Sequence, residues 1–550
     1  MTRRSLIYKT HPFHNLEAHM HAPTDTAPAS ANAPYEKRWW GLIVLSLSLV
    51  LIGLDNTILN VALPTLVREI DATNSQLQWI VDSYVLVFAG LLLTAGSLGD
   101  RFGRKGALNT GLLIFLGGAL YASTTSDAHH LIAARAIMGI GGAFIMPSTL
   151  SILTNMFPPH ERGRAIGIWA GVAGIGIPLG PLVGGWLLAH FAWGSIFLVN
   201  VPIVLSALAA GWFILPTSRD PQAPRVDIPG AILSMSGLGV LIYGLIEAPL
   251  KGWGSNETIA ALGTAVVILG IFAWWESRTK EPMLNLRFFR NPRFSAANAA
   301  ITLTFFALFG SMFSLTQYLQ FVLGYSALEA GVRMMPMALG MMIGAPASAR
   351  IVERVGSKIV VAVGLSIVTL ALLLMTQLAP DSSYLQFLVP LLVLATGMGL
   401  TMAPATEAIM GAIPRAKAGV GSAMNDTTRQ VGGALGVATI GSLMSSTYRA
   451  NVESGLTSLP PDLVERAKDS VGAALAIAAQ AGPNGAQIAD RARTAFTDAM
   501  GTGFLAAAIV SAVGVALVVA FLPAHGVDAG ESFDDEPARE ATPVGDRVAS

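Results

Sequence analysis

Apolar runs recur along almost the whole of this chain, each close to the ~20 residues that a helix needs to cross ~30 Å of hydrocarbon. Fourteen are read, at about 40–63, 77–97, 107–125, 131–153, 165–188, 194–215, 228–248, 258–275, 294–323, 328–348, 359–378, 385–410, 419–446 and 497–521. With 53% hydrophobic residues, 12% charged residues and a mean hydropathy of +0.58, the chain is not an ordinary soluble domain. An all-α polytopic membrane protein is expected. Zero net charge and the absence of cysteine leave no bulk attraction to nucleic acid, no disulfide framework and no thiolate metal site.

Loop charges set the orientation. Seventeen Arg and Lys residues, among them Arg101, Arg104, Lys105, Arg162, Arg164 and Arg290, fall in loops on one side, against Arg68 and Lys251 in the short loops on the other. The positive-inside rule then puts both termini in the cytoplasm. The external loop 447–495 is long enough to escape the rule, and its PDLVERAKDSVGAALAIAAQ stretch reads as an interfacial helix. Residues 1–38 read as a disordered cytoplasmic tail. No apolar stretch follows Arg3 and Arg4, so they are no export signal, and His11, His14, His19 and His21 read as solvated. Residues 523–550 form an acidic cytoplasmic tail.

An internal repeat divides the remainder. Glu353, Arg354, Gly356 and Lys358 follow Asp100, Arg101, Gly103 and Lys105 by 253 residues, and the same offset carries Arg162 and Ala165 onto Arg415 and Ala418. Independent coincidences would scatter in register. The expected organisation is a six-helix bundle at 39–217, two extra helices with linkers at 218–292, and a second six-helix bundle at 293–522. Parallel six-helix halves around a midplane site are one way to build a secondary transporter.

Several polar residues interrupt the apolar runs. Asp55 lies deep in the first, where a carboxylate costs at least ~2.5 kcal/mol and so marks a functional site. Arg135, in RAIMGIGGAFIMP of span four, lies at comparable depth; Asp55 is its candidate counterion, the alternative being snorkelling to the outer interface. Asp82 in span two sits beside Trp79, Tyr84 and Phe88, a setting for a lipophilic cation by charge and cation–π contact, or else a solvated position at the helix mouth. Glu407 in span twelve has no local partner in sequence and is a second candidate proton or cation site. Asp426 and Arg429 at i, i+3 can simply pair with each other. Met334, Met335, Met337, Met341 and Met342 form either an adaptable surface or plain packing.

Span two ends in GSLGDRFGRKGAL, where Gly96, Gly99 and Gly103 allow a sharp turn and Asp100, Arg101, Arg104 and Lys105 can bridge helix ends. Span five carries Gly171, Gly174, Gly176, Gly180, Pro181, Gly184 and Gly185, a small-residue face that suits a seal between the halves. These motifs, with Arg135 and the LDNTILNVALP of span one, resemble the major facilitator superfamily, and in particular its fourteen-helix drug:proton antiporters. The resemblance covers about residues 40–521; the second loop copy departs from it at Glu353 and Ser357.

The resemblance implies a major facilitator fold and a proton-coupled exporter of lipophilic, often cationic compounds in the cytoplasmic (inner) membrane. Asp55, Arg135 and Glu407 would then serve proton coupling. Asp82, Trp79, Tyr84 and Phe88 would bind substrate, and Gly96, Asp100, Arg101, Gly103, Arg104, Glu353, Arg354, Gly180, Pro181 and Gly184 would gate. The other reading is dedicated export of one endogenous lipid, siderophore or antibiotic. With no GxxxxGK[ST] loop and no sizeable soluble domain, the energy is expected to come from an ion gradient, which the resemblance implies is one of protons, with no cofactor. Expected partners are small-molecule substrates, protons and membrane lipids, and the expected state is a monomer. A sensor or membrane enzyme is disfavoured, since no catalytic constellation appears and His129, His130, His160 and His190 fall near span ends.

Overall fold

A helix is the one segment that satisfies its own backbone in hydrocarbon, and this chain uses little else. The computed structural model describes residues 36–70, 74–220, 226–453 and 459–523, all helix and connections among the described residues. The residues of both tails, with Arg3, Arg4 and the four N-terminal histidines, lie outside the described set. The long helices are α1 (Arg38–Glu69), α2 (Asn74–Phe102), α3 (Arg104–Thr124), α4 (Ala128–Met156), α5 (Pro159–His190) and α6 (Asn200–Ile214). Then come α7 (Ile228–Lys251), α8 (Asn256–Arg278), α9 (Pro292–Gln317), α10 (Ala327–Val355), α11 (Ser357–Met375), α12 (Tyr384–Gly411), α13 (Ala418–Val452) and α14 (Gly485–Phe521).

These fourteen helices sit where the fourteen spans were expected. Twelve apolar segments meet the length and composition of a membrane crossing. The other two helices are α5, several of whose side chains, including that of Pro181, lie outside the described residues, and α13. The latter is 35 residues long but buries Asn425, Asp426, Thr427, Thr428 and Arg429 in one run, so it is not apolar enough by composition.

Local signals fix the helix ends. Ser326 and Glu329 form a capping box on α10. Asp127 caps α4 by accepting from the His130 and His129 amides, which holds its carboxyl below the usual carboxylate range. Gly103 and Gly356, the paired glycines of the repeat, both take positive φ, 113° and 83°, in the one-residue links from α2 to α3 and from α10 to α11. A side chain at either would strain the turn.

One core runs through α1–α6 and another through α9–α14. The halves meet along four helix pairs, chiefly α5 with α10 and α2 with α13, and also α4 with α13 and α5 with α12. Helix α7 lies against α2 and α13, and α8 packs on α7 and turns Ile259, Val266, Val267 and Trp274 outward, as a lipid-facing helix would.

Two expectations are corrected here. Gly180 and Gly184 do not seal the halves; they pack on Thr57 and Ile58 of α1, inside the first bundle. The α5 glycines that face the other half are Gly163, Gly167, Gly171 and Gly185, against Ala349, Ala345 with Pro346, Met342 and Leu328 of α10. The stretch read as an interfacial helix is two short helices, Pro461–Asp469 and Val471–Gln480, whose Ala467, Val471 and Ala474 are buried in the second core. Packing on protein satisfies their apolar face, while Arg449 holds the first helix through Glu465 and Asp469, and Lys468 ties it to Glu453.

A Cβ at Gly180 would run into Thr57 Oγ1 and the Ile58 amide, whereas one at Gly239 of α7 meets nothing within 4 Å. Gly180→Ala is therefore expected to cost about 1–3 kcal/mol in thermal unfolding of the detergent-solubilised protein. Gly239→Ser should leave the midpoint unchanged, and Gly237→Ser, facing Leu269 at 2.7 Å, should lower it.

Candidate functional site

Asp55 is fully buried on α1, and its partner is Arg135 of α4: the guanidinium Nη1 lies 2.6 Å from the carboxylate Oδ2. Arg135 also donates from Nε to the Ile80 carbonyl and lies 4.4 Å over the Tyr84 ring. Asn200 Nδ2 of α6 donates to the second carboxylate oxygen at 3.3 Å. The sequence pointed to the pair but not to Asn200, whose signal, a lone amide at the start of an apolar helix, is too common to single out.

Arg135 faces a cavity of ≈ 270 Å³ between the two bundles. Its walls are apolar and aromatic, with Tyr84, Phe88, Phe305 and Phe309, and softened by Met146, Met341 and Met402. Asn56 and Thr57 of α1 add polar edges. Asp55 itself stands behind Arg135, so the cavity senses it through the guanidinium.

Across the cavity stand Asp426 and Arg429 of α13, with 3.8 Å between Nη1 and Oδ1. This is no tight mutual pair. Asp426 accepts from Asn425 at 3.4 Å on one oxygen, while its buried Oδ2 has no hydrogen-bond partner among the described residues. Arg429 donates to Thr406 and lies over two rings, Trp169 at 4.9 Å and Phe305 at 5.2 Å. Trp169 is on α5, so Arg429 reaches from one bundle to the other. Its role had no sequence signal beyond an aromatic in a glycine-rich run.

Other expected residues lie elsewhere. Tyr84 and Phe88 do line the cavity, but Trp79 stacks on Tyr243 of α7, and Asp82, on the same side of α2, feels Glu247 of α7. Both belong to the contact with the inserted helices. Glu407 is also outside the cavity: it is a quarter exposed, 4.0 Å from Arg293, in an opening with His160, Arg164 and Glu353. Glu407 stands about 100° around α12 from Thr406, which accepts from Arg429, and that rotation separates the two environments, which the sequence could not resolve. No residue lining the cavity comes from α7 or α8.

The end of the bundles that carries the basic loops is clamped on one side. Asp100 of α2 accepts from the Gly419 and Val420 amides, at 2.8 and 3.1 Å, at the start of α13, which has no side-chain cap of its own. A carboxylate at a helix N-terminus satisfies orphan amides and meets the positive end of the dipole. Arg104 pairs with Asp100 at 2.7 Å and donates to the Arg415 and Ala416 carbonyls, both at 2.8 Å. Gly96 and Gly419 touch backbone to backbone, and Lys417 pairs with Asp220 at 3.2 Å. Arg101 lies beside this clamp and Gly103 makes its turn. Glu353 and Arg354, the repeat counterparts, are exposed and make no such clamp, because Ser357 stands where Arg104 would be.

Arg135→Met would leave the Asp55 carboxylate buried with Asn200 alone, and is expected to cost about 3–5 kcal/mol in unfolding of the purified protein. Asp55→Asn should also destabilise, since it leaves the Arg135 charge buried with only hydrogen-bond acceptors, and adding it to Arg135→Met should recover part of the loss.

The chain is 35% identical to a multidrug efflux pump of Mycolicibacterium smegmatis, across 90% of this chain and 98% of that one. It is 32% identical to the tetracenomycin C resistance and export protein of Streptomyces glaucescens, across 90% and 94%. A human organic anion transporter shares the fold with TM-score 0.58 at 15% identity, covering 88% of this chain and all of that one. The sequence model of the Major Facilitator Superfamily matches residues 45–437, and with two bundles clamped around one cavity this multi-pass membrane protein belongs to that superfamily of transporters.

Proposed function

We propose that the protein is a proton-driven antiporter that exports lipophilic, often cationic compounds across the cytoplasmic membrane, with both termini inside. The observation that carries the reading is the buried Asp55–Arg135 pair standing at the wall of an aromatic cavity. While Asp55 is ionised, Arg135 is neutralised and the cavity tolerates a cation beside Tyr84, Phe305 and Asp426. When Asp55 takes a proton, Arg135 loses its counter-charge and a second cation at the wall is disfavoured. Proton and substrate then oppose each other at equilibrium, which is the coupling an antiporter requires. The two relatives named for drug efflux and antibiotic export are consistent with such cargo. The second of them, named for one antibiotic, also favours a narrower reading in which a single product is exported; a substrate panel separates the two.

Opening toward the cytoplasm requires breaking the Asp100 clamp, whose bonds link the two bundles. The residues assigned to coupling are Asp55 and Arg135, those assigned to charge recognition are Asp426 with the surrounding rings, and those assigned to gating are Gly96, Asp100, Gly103 and Arg104.

In proteoliposomes with an imposed proton gradient, Asp55→Asn at equal protein level should abolish driven efflux; wild-type rates would overturn the coupling assignment. Asp426→Asn should weaken binding of ethidium-like cations more than that of neutral compounds of similar size, because the lost Coulomb term acts only on charge. Asp100→Ala should slow turnover while substrate binding persists, read as kcat against Kd.

A further inference from the structure

The inserted helix pair holds a second acidic site that the transport reading does not use. Asp227 caps α7, accepting from the Gly230 amide at 2.9 Å and from the Trp275 indole N–H, at 2.9 and 3.1 Å on its two oxygens. Glu276, near the end of α8, is 3% exposed and accepts the Leu284 amide on Oε2 at 3.1 Å. Its other oxygen, Oε1, is buried without a donor among the described residues. Asp227 is its immediate neighbour, and the two acids bear directly on each other across Gly230. A Cβ at Gly230 would meet Asp227 Oδ2 at 2.5 Å and Glu276 Oε1 at 2.6 Å, so both oxygens crowd the space that this glycine leaves empty.

Two ionised carboxylates cannot hydrogen-bond, and side by side in a buried site they repel. One proton resolves both difficulties. We propose that Asp227 and Glu276 form a proton-binding site, a carboxyl–carboxylate pair sharing one proton with a net charge of −1, that holds the inserted helices in register with the Asp100 clamp.

The physical link is short. Glu276 anchors the segment 281–284 through the Leu284 amide. Met283 and Leu284 are buried with Leu93 of α2 and with Val420 and Ala423 of α13. Val420 is one of the two residues whose amides Asp100 holds. The charged groups on the neighbouring elements are Asp100 and Arg101 of α2, Lys417 before α13, and Glu281, which share a small opening with Val226 and Met283. Of these, Asp100 is already paired with Arg104 and Lys417 with Asp220. Loss of the shared proton would drive Asp227 and Glu276 apart, and Glu276, still holding the Leu284 amide, would draw 281–284 away from α13 and loosen the clamp. High pH on the basic-loop side therefore favours opening there, and low pH keeps it shut.

The cysteine-free chain allows a direct test independent of transport. Ser97→Cys places one thiol in the opening beside the clamp, and its labelling by a membrane-impermeant maleimide, corrected for the thiolate fraction with a model thiol, reports access. In the otherwise unchanged full-length protein in liposomes, corrected labelling should rise about tenfold as pH is raised across roughly 6 to 9. Glu276→Gln and Asp227→Asn, tested separately so that one folding failure leaves the other, should each flatten that rise, because an amide supplies the donor without titrating. Infrared spectra should show a protonated-carboxyl band in the parent that Glu276→Gln removes. A flat parent profile, or a rise unchanged in the amide variants, overturns the proposal; so does a protonated-carboxyl spectrum unaltered by both substitutions.

Discussion

A carboxylate at the middle of an apolar helix must find a partner inside the protein, and much of the first bundle follows from how Asp55 finds one. Arg135 neutralises it at 2.6 Å, Asn200 takes the remaining oxygen, and the Ile80 carbonyl and the Tyr84 ring hold the guanidinium in place. Four helices, α1, α2, α4 and α6, are thereby tied at one depth. The close glycine contacts between α1 and α5, Gly53 on Gly176 and Gly180 on Thr57, hold α5 against that group. A buried pair of this kind adds little net stability but is costly to break from one side.

The repeat makes two geometrically similar hinges, and the residues make them unequal. Gly103 and Gly356 turn alike, but Arg104 against Ser357 decides whether the neighbouring acid is held in place. With Arg104 fixed, Asp100 caps α13; without it, Glu353 stays at the surface beside an opening of ≈ 270 Å³. One bundle contact is thus a charge-assisted latch and another, α5 on α10, is backbone packing at Gly167 and Gly171. Such packing can slide or hinge where hydrogen bonds must break.

Sequence signals were strongest where one residue carries its own physical demand. Asp55 and Arg135 could be matched because each is intolerable alone, and the loop motif could be read because its copy recurs at one offset. What stayed hidden depends on which way a helix is turned. Trp79, Asp82 and Glu407 sit on helices that also line the cavity, but a rotation of a fraction of a turn takes the first two to α7 and the third to the opening by Arg293. Gly180 and Gly184 show the same limit: a small-residue face announces close packing without naming the partner. Asp426 and Arg429 looked self-sufficient at i, i+3, yet the guanidinium is drawn toward Trp169 and Phe305, leaving one carboxylate oxygen unpaired.

The polarity of α13, too high for a crossing judged on composition, has a mechanical consequence. Its first residues are held by Asp100, and Asp426 and Arg429 follow about two turns later, roughly 10 Å along the same rigid helix. The clamp and the polar wall of the cavity therefore cannot move independently. Releasing the Gly419 and Val420 amides frees the start of α13, and any tilt that follows pulls Arg429 off the Trp169 ring of the other bundle. Conversely, a cation that draws Asp426 toward itself loads the same helix from within. The inserted helices press on this helix at Val420 and Ala423, through Met283 and Leu284. Three influences, the latch, the cavity and the acid pair, thus converge on one short stretch of α13. Placing them in contact with a single rigid element is a physical route by which binding and gating can bias one equilibrium.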